Sequence, residues 1–292
     1  MERSAAFRTF FANLVAANAG ISPGSELAAA FASTPREQFV GPAPWKIFTP
    51  GGYIETLSDD PAYLYQDVVV SLGENGPLNN GQPTLHAFCL AALGPLAGRR
   101  VVHVGAGSGY YTTILAKLVG TEGAVDAYEV EENLAQRAAT NLAPFRNVTI
   151  HHRSGAESPL PACDGIYVNA GCTSPLGVWL EALRPGGRLL FPLTPAEGAG
   201  AMLLITKTGG AVYGARFLCQ AQFVPCVGAR DEQEAQTLKT AFQKGNWREV
   251  RSLHRSAVSP EECWWSGANA WLSTRPLAAE PAASSQDGNL QS

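Results

Sequence analysis

Val101-Val102-His103-Val104-Gly105-Ala106-Gly107-Ser108-Gly109-Tyr110-Tyr111 is an apolar run that breaks into alternating glycines and then into a helical pattern. Its valine-rich start reads as a strand buried on both faces. The glycines let the backbone turn tightly and approach a ligand with no Cβ in the way. Behind them Tyr110, Tyr111, Ile114, Leu115, Leu118 and Val119 recur at helical spacing, so the loop ends at a helix N-terminus with free N–H groups. Strand, glycine loop and helix in this order predict a ligand at the loop.

Ala124-Val125-Asp126-Ala127-Tyr128-Glu129 reads as the next strand. It ends in an acid about twenty residues past the loop, where a carboxylate accepts both hydroxyls of a ribose. Two cofactor classes use such a site, and glycine spacing separates them. A dinucleotide site takes G-x-G-x-x-G/A, whose last small residue packs the helix onto the strand beside a pyrophosphate. Here the glycines run G-x-G-x-G, and Tyr110 stands at that last position. S-adenosylmethionine carries no phosphate, so its loop need only admit the methionine part and the nucleoside while helix N–H groups face a carboxylate. The residues predict S-adenosylmethionine held by Gly105, Ala106, Gly107, Ser108, Gly109, Tyr110, Glu129 and Val130; the alternative is a plain tight turn and a solvated glutamate.

Outward from this point the elements alternate as in an α/β fold: strand 100–104, helix 108–119, strand 124–129, helix 131–142, strand 147–151, strand 164–169, helix 175–183 and strand 187–192. That order predicts a Rossmann-like, doubly wound, mostly parallel sheet. Strands near 201–206 and 212–224, joined across Gly209-Gly210, predict an antiparallel pair at one edge. Upstream, Pro83 opens a helix that Gly94-Pro95 closes. Phe7, Phe10, Phe11, Leu14 and Val15 mark an N-terminal helix stopped at Gly20, and a short helix follows over 25–31. Downstream, a charged helix from Glu232 to Lys244 leads to Trp247, Trp264, Trp265 and Trp271. These read as packing a helical appendage on the core, with an acceptor or partner surface as the other reading. The expected organisation is 1–82, N-terminal helices and acceptor-side loops; 83–225, the cofactor-binding core; 226–277, a Trp-rich helical appendage; and 278–292, a disordered tail with almost nothing to bury.

At 292 residues and 46% hydrophobic content, the chain has ample material for one large α/β core. A net charge of −4 gives no footprint for nucleic acid or an anionic membrane surface. No apolar stretch reaches the length of a membrane span, and the N-terminal stretch lacks the features of a transit or secretion signal. The six cysteines form no C-x-x-C pair and no metal-like spacing with the five histidines. They read as reduced thiols of a cytoplasmic protein, with no metal expected. A monomer is expected.

Several separated stretches, in matching order, resemble the protein-L-isoaspartate O-methyltransferase family. They are Arg36-Glu37-Gln38-Phe39-Val40, Tyr65-Gln66-Asp67, Gly81-Gln82-Pro83, the glycine loop followed directly by Tyr110, and Leu183-Arg184-Pro185-Gly186-Gly187-Arg188-Leu189. The resemblance covers about residues 30–195. It implies a class I S-adenosylmethionine-dependent methyltransferase that acts on a carboxylate of a protein or peptide and begins the repair of isoaspartyl damage. It also implies that Gly105, Gly107 and Gly109 wrap the cofactor, that Glu129 holds its ribose, and that Gln82 and Pro83 head the helix flanking the acceptor. Three departures stand out. The family's Ser-Gln-Pro is Gly81-Gln82-Pro83, its acid near the end of the first core strand is His103, and its Gly-Asp-Gly beside the adenine is Arg153-Ser154-Gly155.

Methyl transfer from a sulfonium is an in-line displacement, and a carboxylate with a pKa of about 4 is already ionised at neutral pH, so no strong base is required. A hydroxyl or amine acceptor would call for a base, for which Asp67, His86, Tyr65 and His103 stand in suitable places. His86 reads as lying on the polar side of its helix, and His103 as a buried histidine bonded to the backbone or the glycine loop. Gly81, Gln82, Asp67 and His86 are the acceptor-side candidates; Ser154, Gly155 and Asn169 complete the cofactor side, with a turn-forming role as the other reading of Asn169. A small-metabolite acceptor and a non-catalytic cofactor-fold binding protein remain open. If isoaspartyl activity survives, Asn79, Asn80 or Thr84 replaces the missing hydroxyl; if the acceptor has changed, Gly81 enlarges the pocket or takes a positive φ, and Gly81→Ser raises turnover on an isoaspartyl peptide.

Overall fold

A run of apolar strands whose order reverses midway positions everything else in the chain. The computed structural model describes residues 2–73, 78–157, 159–210, 212–259 and 261–277, so the expected tail 278–292 lies outside the described residues. The chain begins with α1 (Glu2–Asn18) and α2 (Glu26–Ala32), the latter capped by Ser25, whose hydroxyl accepts the Ala28 N–H at 3.2 Å. A hairpin follows, β1 (Lys46–Thr49) and β2 (Gly52–Glu55), then α3 (Pro83–Leu93) with Pro83 at its first turn. The core runs β3 (Arg100–Val104), α4 (Tyr110–Val119), β4 (Ala124–Glu129), α5 (Glu132–Leu142), β5 (Val148–His152), β6 (Cys163–Val168), α6 (Gly177–Ala182) and β7 (Leu183–Leu193). After it come β8 (Gly200–Lys207), β9 (Val212–Ala221), α7 (Glu232–Lys244), β10 (Ser252–His254), β11 (Cys263–Ser266) and β12 (Trp271–Ser273).

Ten strands form one sheet in the order β11-β12-β10-β9-β8-β7-β6-β3-β4-β5. β3 pairs in parallel with both β4 and β6, β4 with β5, and β6 with β7. Val101, Val102 and Val104 are buried, as expected for a strand covered on both faces. The doubly wound, mostly parallel core is therefore the one the residues predict.

The carboxy-terminal segment differs. In place of a helical appendage it holds one helix and three short strands, and these extend the same sheet, so the antiparallel edge is five strands deep rather than a pair. β9 offers an open edge, and β10 covers it with Leu253 opposite Tyr213. Strands of three or four residues are too short to show a period, which is why the sequence reads as helix and irregular chain there. The tryptophans pack inward: Trp247 and Trp264 lie 5.6 and 5.3 Å from the Phe217 ring on β9, and Trp265 is buried in the same core. At the other end Phe11, Phe31 and Phe39 share a core cluster with Tyr110 and Tyr111, so the N-terminal helices are part of the same body.

Arg36 organises the irregular stretch between the hairpin and α3. Its fully buried guanidinium donates to the carbonyls of Leu64 at 2.5 Å, Gln66 at 3.0 Å and Val68 at 2.6 Å. Replacing Arg36 by Met leaves those three carbonyls without a donor; at about 1–3 kcal/mol per unsatisfied buried acceptor the loss should reach roughly 3–9 kcal/mol, read as a lower urea midpoint at unchanged slope.

Candidate active site

From β3 the chain winds outward through β4 and β5, then crosses back to β6 and β7, so strand order reverses between β3 and β6. Open α/β sheets bind ligands at the carboxyl ends of strands at such a point. There a cleft of about 1140 Å³ opens, lined by Gly105, Ala106, Gly107, Ser108, Tyr110, Glu129, Val130, Ser154, Gly155 and Asn169 at one end and by Asn80, Gly81, Gln82, Leu85, His86 and Phe223 at the other. Gly105, Gly107 and Gly109 have φ of +77°, +56° and +95°, a region that disfavours any side chain. A Cβ at Gly109 would also lie 2.9 Å from Leu142 Cδ1, so this glycine lets α5 close on the loop.

Glu129 ends β4 as expected, but its carboxylate is already engaged. It accepts the Gly107 N–H at 2.6 Å, the Val130 N–H at 2.9 Å and the Glu131 N–H at 3.0 Å. Burial raises its pKa, and these backbone donors pull it back. Glu129 therefore holds the glycine loop as well as facing the cleft. Gly155 lies flat on the sheet ends, since a Cβ there would stand 2.6 Å from Val104 Cγ2. The Ser154 hydroxyl donates to Val227 O at 2.8 Å and accepts the Ala156 N–H at 3.1 Å, which ties this rim to the segment after β9.

Asn169 follows β6. Its amide nitrogen lies 2.8 Å from His103 Nε2, and His103 Nδ1 lies 2.8 Å from Thr112 Oγ1. With the amide donating to Nε2, the ring proton is on Nδ1 and goes to the threonine. Asn169 Oδ1 is then buried beside the glycine loop with no partner, an acceptor suited to a ligand ammonium. His103 stacks on Tyr167 at 5.6 Å, inside the protein as expected.

Two candidates have partners that the sequence does not suggest. Asp67 does not line the cleft: it accepts the Thr84 N–H at 2.8 Å and the Gln82 side-chain amide at 2.9 Å, so it anchors the start of α3. The Tyr110 ring turns away from the loop and packs edge-on against Phe39 at 5.4 Å, with its hydroxyl buried. That outward turn is how a tyrosine is accommodated where a dinucleotide site needs a small residue.

His86 is buried, not on a polar face. It stacks on Tyr111 at 3.7 Å, and its Nδ1 lies 2.7 Å from the Tyr167 hydroxyl. Gly81 has φ of +69°, and a Cβ there would fall 2.0 Å from His86 Nε2. The gain expected of Gly81→Ser is therefore reversed: the new side chain has no room while His86 stands there. Sequence reasoning missed Phe48 and Tyr53 of the hairpin and Gln222, Phe223 and Val227 after β9, which also line the cleft. The Gly171 N–H to Val224 O bond at 2.7 Å and the Cys226 N–H to Gly171 O bond at 2.9 Å bring the latter group to the end of β6, and no local pattern announces that docking.

Glu129→Ala should weaken S-adenosylhomocysteine binding at least tenfold by calorimetry, about 1.4 kcal/mol. Gly81→Ser should lower the melting temperature. Burial, joined for His86 by the charges of His103 and Arg36, lowers the pKa of both His86 and His103 from 6.5 to about 3. Between these values the unfolded chain takes up protons that the folded chain refuses, so stability complete above pH 6.5 drains away as pH falls toward 3. Wild type relative to His86→Phe should lose about 1.4 kcal/mol per pH unit between pH 6 and 4, measured by urea denaturation.

The profile of the protein-L-isoaspartate(D-aspartate) O-methyltransferase family matches residues 13–231. The protein-L-isoaspartate O-methyltransferase of Ignicoccus hospitalis is 30% identical over 224 residues, covering 75% of this chain and 96% of that protein. The one from Brucella anthropi is 32% identical over 163 residues, 52% of this chain and 72% of its own. Among solved structures, a protein-L-isoaspartate O-methyltransferase matches with a TM-score of 0.65 at 22% identity, over 81% of this chain and 69% of that one. A Plasmodium falciparum structure assigned to the same enzyme, in complex with S-adenosyl-L-homocysteine, matches with a TM-score of 0.60 at 19% identity, over 76% of this chain and 98% of that one. The structural likenesses carry the fold, and the profile and the sequence identity carry the kinship: the chain belongs to the protein-L-isoaspartate(D-aspartate) O-methyltransferase family.

Proposed function

We propose that this protein is an S-adenosylmethionine-dependent carboxyl methyltransferase that esterifies the α-carboxylate of isoaspartyl residues in a protein or peptide. One observation carries the choice of acceptor: the described residues at the far end of the cleft supply hydrogen-bond donors and no base. The carboxylates lining the cleft are Glu129 and Glu131, both on the glycine-loop side. His86, the imidazole at the far end, is kept neutral by burial and takes up a proton only near pH 3. A hydroxyl or amine acceptor needs a base there, whereas a carboxylate arrives ionised. That weighs against the small-metabolite alternative.

When bound, the cofactor would supply a methyl carbon on a sulfonium, which an acceptor oxygen would attack in line, forming the C–O bond as the sulfur leaves with the C–S pair. The chain's part is to bind, orient and exclude water. Glu129 has acceptor capacity left for a ribose, since its two oxygens offer about four lone-pair sites and take three backbone donors. Asn169 Oδ1 suits the amino group of the methionine part, and the flat glycine loop admits its chain. Val130 and Gly155 leave a flat wall for the adenine, with Ser154 holding that wall in place.

A polypeptide acceptor is supported by the rim. Phe48 and Tyr53, 53% and 37% exposed with rings 5.4 Å apart, line one edge of the cleft. An apolar rim of this kind is covered when a chain lies across it. The reading includes a monomer and a cytoplasmic setting, the latter favoured by six free cysteines. No helix among the described residues is long and apolar enough to cross a membrane.

The test is release of S-adenosylhomocysteine in the presence of an isoaspartyl peptide and of its aspartyl isomer. Turnover on the isoaspartyl peptide, with a rate flat from pH 6 to 8 because no histidine of the site titrates there, is the expected result. Cofactor binding with turnover only on a hydroxyl or amine acceptor would overturn it.

A further inference from the structure

Around His86, three buried side chains that line the cleft keep a polar atom without a partner in the protein: Asn80 Nδ2, His86 Nε2 and the Tyr111 hydroxyl, and the two nitrogens flank Gly81. Asn80 is 7% exposed and His86 2% exposed, and both line the cleft, in the chain on either side of Gly81. Buried polar atoms are nearly always paired, so unpartnered nitrogens on two neighbouring side chains of one cleft mark a place for a ligand.

Both atoms are donors. Asn80 Oδ1 accepts the Val70 N–H at 2.9 Å, while the Asn80 N–H donates to Val70 O at 3.0 Å. This two-point attachment fixes the amide and leaves its NH₂ as the free end. His86 Nδ1 faces the Tyr167 hydroxyl at 2.7 Å. A phenol is the better donor and an imine nitrogen the better acceptor, so Tyr167 donates and the single proton of the neutral ring is on Nε2. Tyr111 stacks on the imidazole, so the ring has one orientation. The 2.0 Å approach of a hypothetical Cβ at Gly81 shows that the imidazole tip fills the space where any other residue would place its side chain.

The geometry points to Asn80 and His86 as the pair that grips the acceptor, their Nδ2–H and Nε2–H donating to the carboxylate that is methylated. This rests on the carboxyl methyltransferase reading above. Two neutral donors hold an anion without neutralising it, so the reacting oxygen keeps its lone pair, and no proton has to move. The role requires glycine at 81, a neutral imidazole and the Tyr167 hydroxyl together, and the chain has all of them.

The experiment uses the full chain and compares His86→Phe, His86→Gln, Asn80→Asp and Tyr167→Phe by kcat and KM for an isoaspartyl peptide, with S-adenosylhomocysteine affinity measured in parallel. His86→Phe keeps the stacked ring and removes the donor; KM for the peptide should rise tenfold or more while kcat changes less than threefold and cofactor affinity less than twofold. Asn80→Asp keeps the bond to Val70 and sets a carboxylate against a carboxylate, so its KM should rise further. His86→Gln restores an N–H and should return KM to within about fivefold of wild type. Tyr167→Phe, which leaves the site side chains in place and frees the tautomer, should raise KM severalfold and covers the case in which a site variant does not fold. A purely structural role would lower stability or cofactor affinity and leave the peptide KM unmoved; that result in the folded variants overturns the proposal. Wild type that binds S-adenosylhomocysteine yet does not turn over the peptide overturns the carboxyl methyltransferase reading itself, and the role of the pair with it.

Discussion

The Glu129 carboxylate accepts N–H groups from Gly107, Val130 and Glu131, and the shape of the cofactor end follows from that. A glycine loop with three positive φ angles has little intrinsic preference for one conformation, because glycine loses more backbone freedom on ordering than any other residue. A buried anion at the end of the next strand supplies the missing restraint through charge-assisted bonds. The same carboxylate thus fixes the loop and faces the cleft, and its burial cost is partly offset by backbone donors already in place. Pre-organisation of this kind lowers the ordering cost of binding.

The acceptor end is held by a different chain of restraints. Arg36 gathers the carbonyls of Leu64, Gln66 and Val68, which sets Asp67; Asp67 holds the Gln82 side chain and the Thr84 N–H in the first turn of α3; and α3 carries His86 to the cleft. Each link is a polar group buried or half-buried with its partner, and such networks specify one arrangement because a half-made one is costly. The irregular segment before α3 is therefore as much a part of the site as the sheet is.

The sheet reaches further than a cofactor fold requires. β8 to β12 continue it antiparallel from β7, and the tryptophans of the final segment cover the face of β9. This extension also governs the cleft, because the turn of chain after β9 runs back along the end of β6 and supplies Phe223 and Val227 to its wall. An element that reads in the sequence as an appendage is in space a wall of the site.

Much of this was legible in the residues. The valine run, the glycine spacing, the acid closing the next strand and the alternation of strand and helix are local patterns, and the period of apolar residues sets local structure with little help from distant parts. Those signals determined the parallel core, the position of the cofactor loop and the kinship. What tertiary structure alone decided is where partners come from. Asp67 reads as an acceptor-side candidate and is committed to α3, the Tyr110 ring packs into the aromatic core, and His86 reads as lying on the polar side of its helix and is buried between Tyr111 and Tyr167. The exclusion between Gly81 and His86 joins positions five residues apart through a turn whose geometry no composition reveals. Periodicity reports which face of an element is covered, but the identity of the hydrogen-bond partner depends on segments brought together by the fold, and that is the physical reason the site had to be seen to be read.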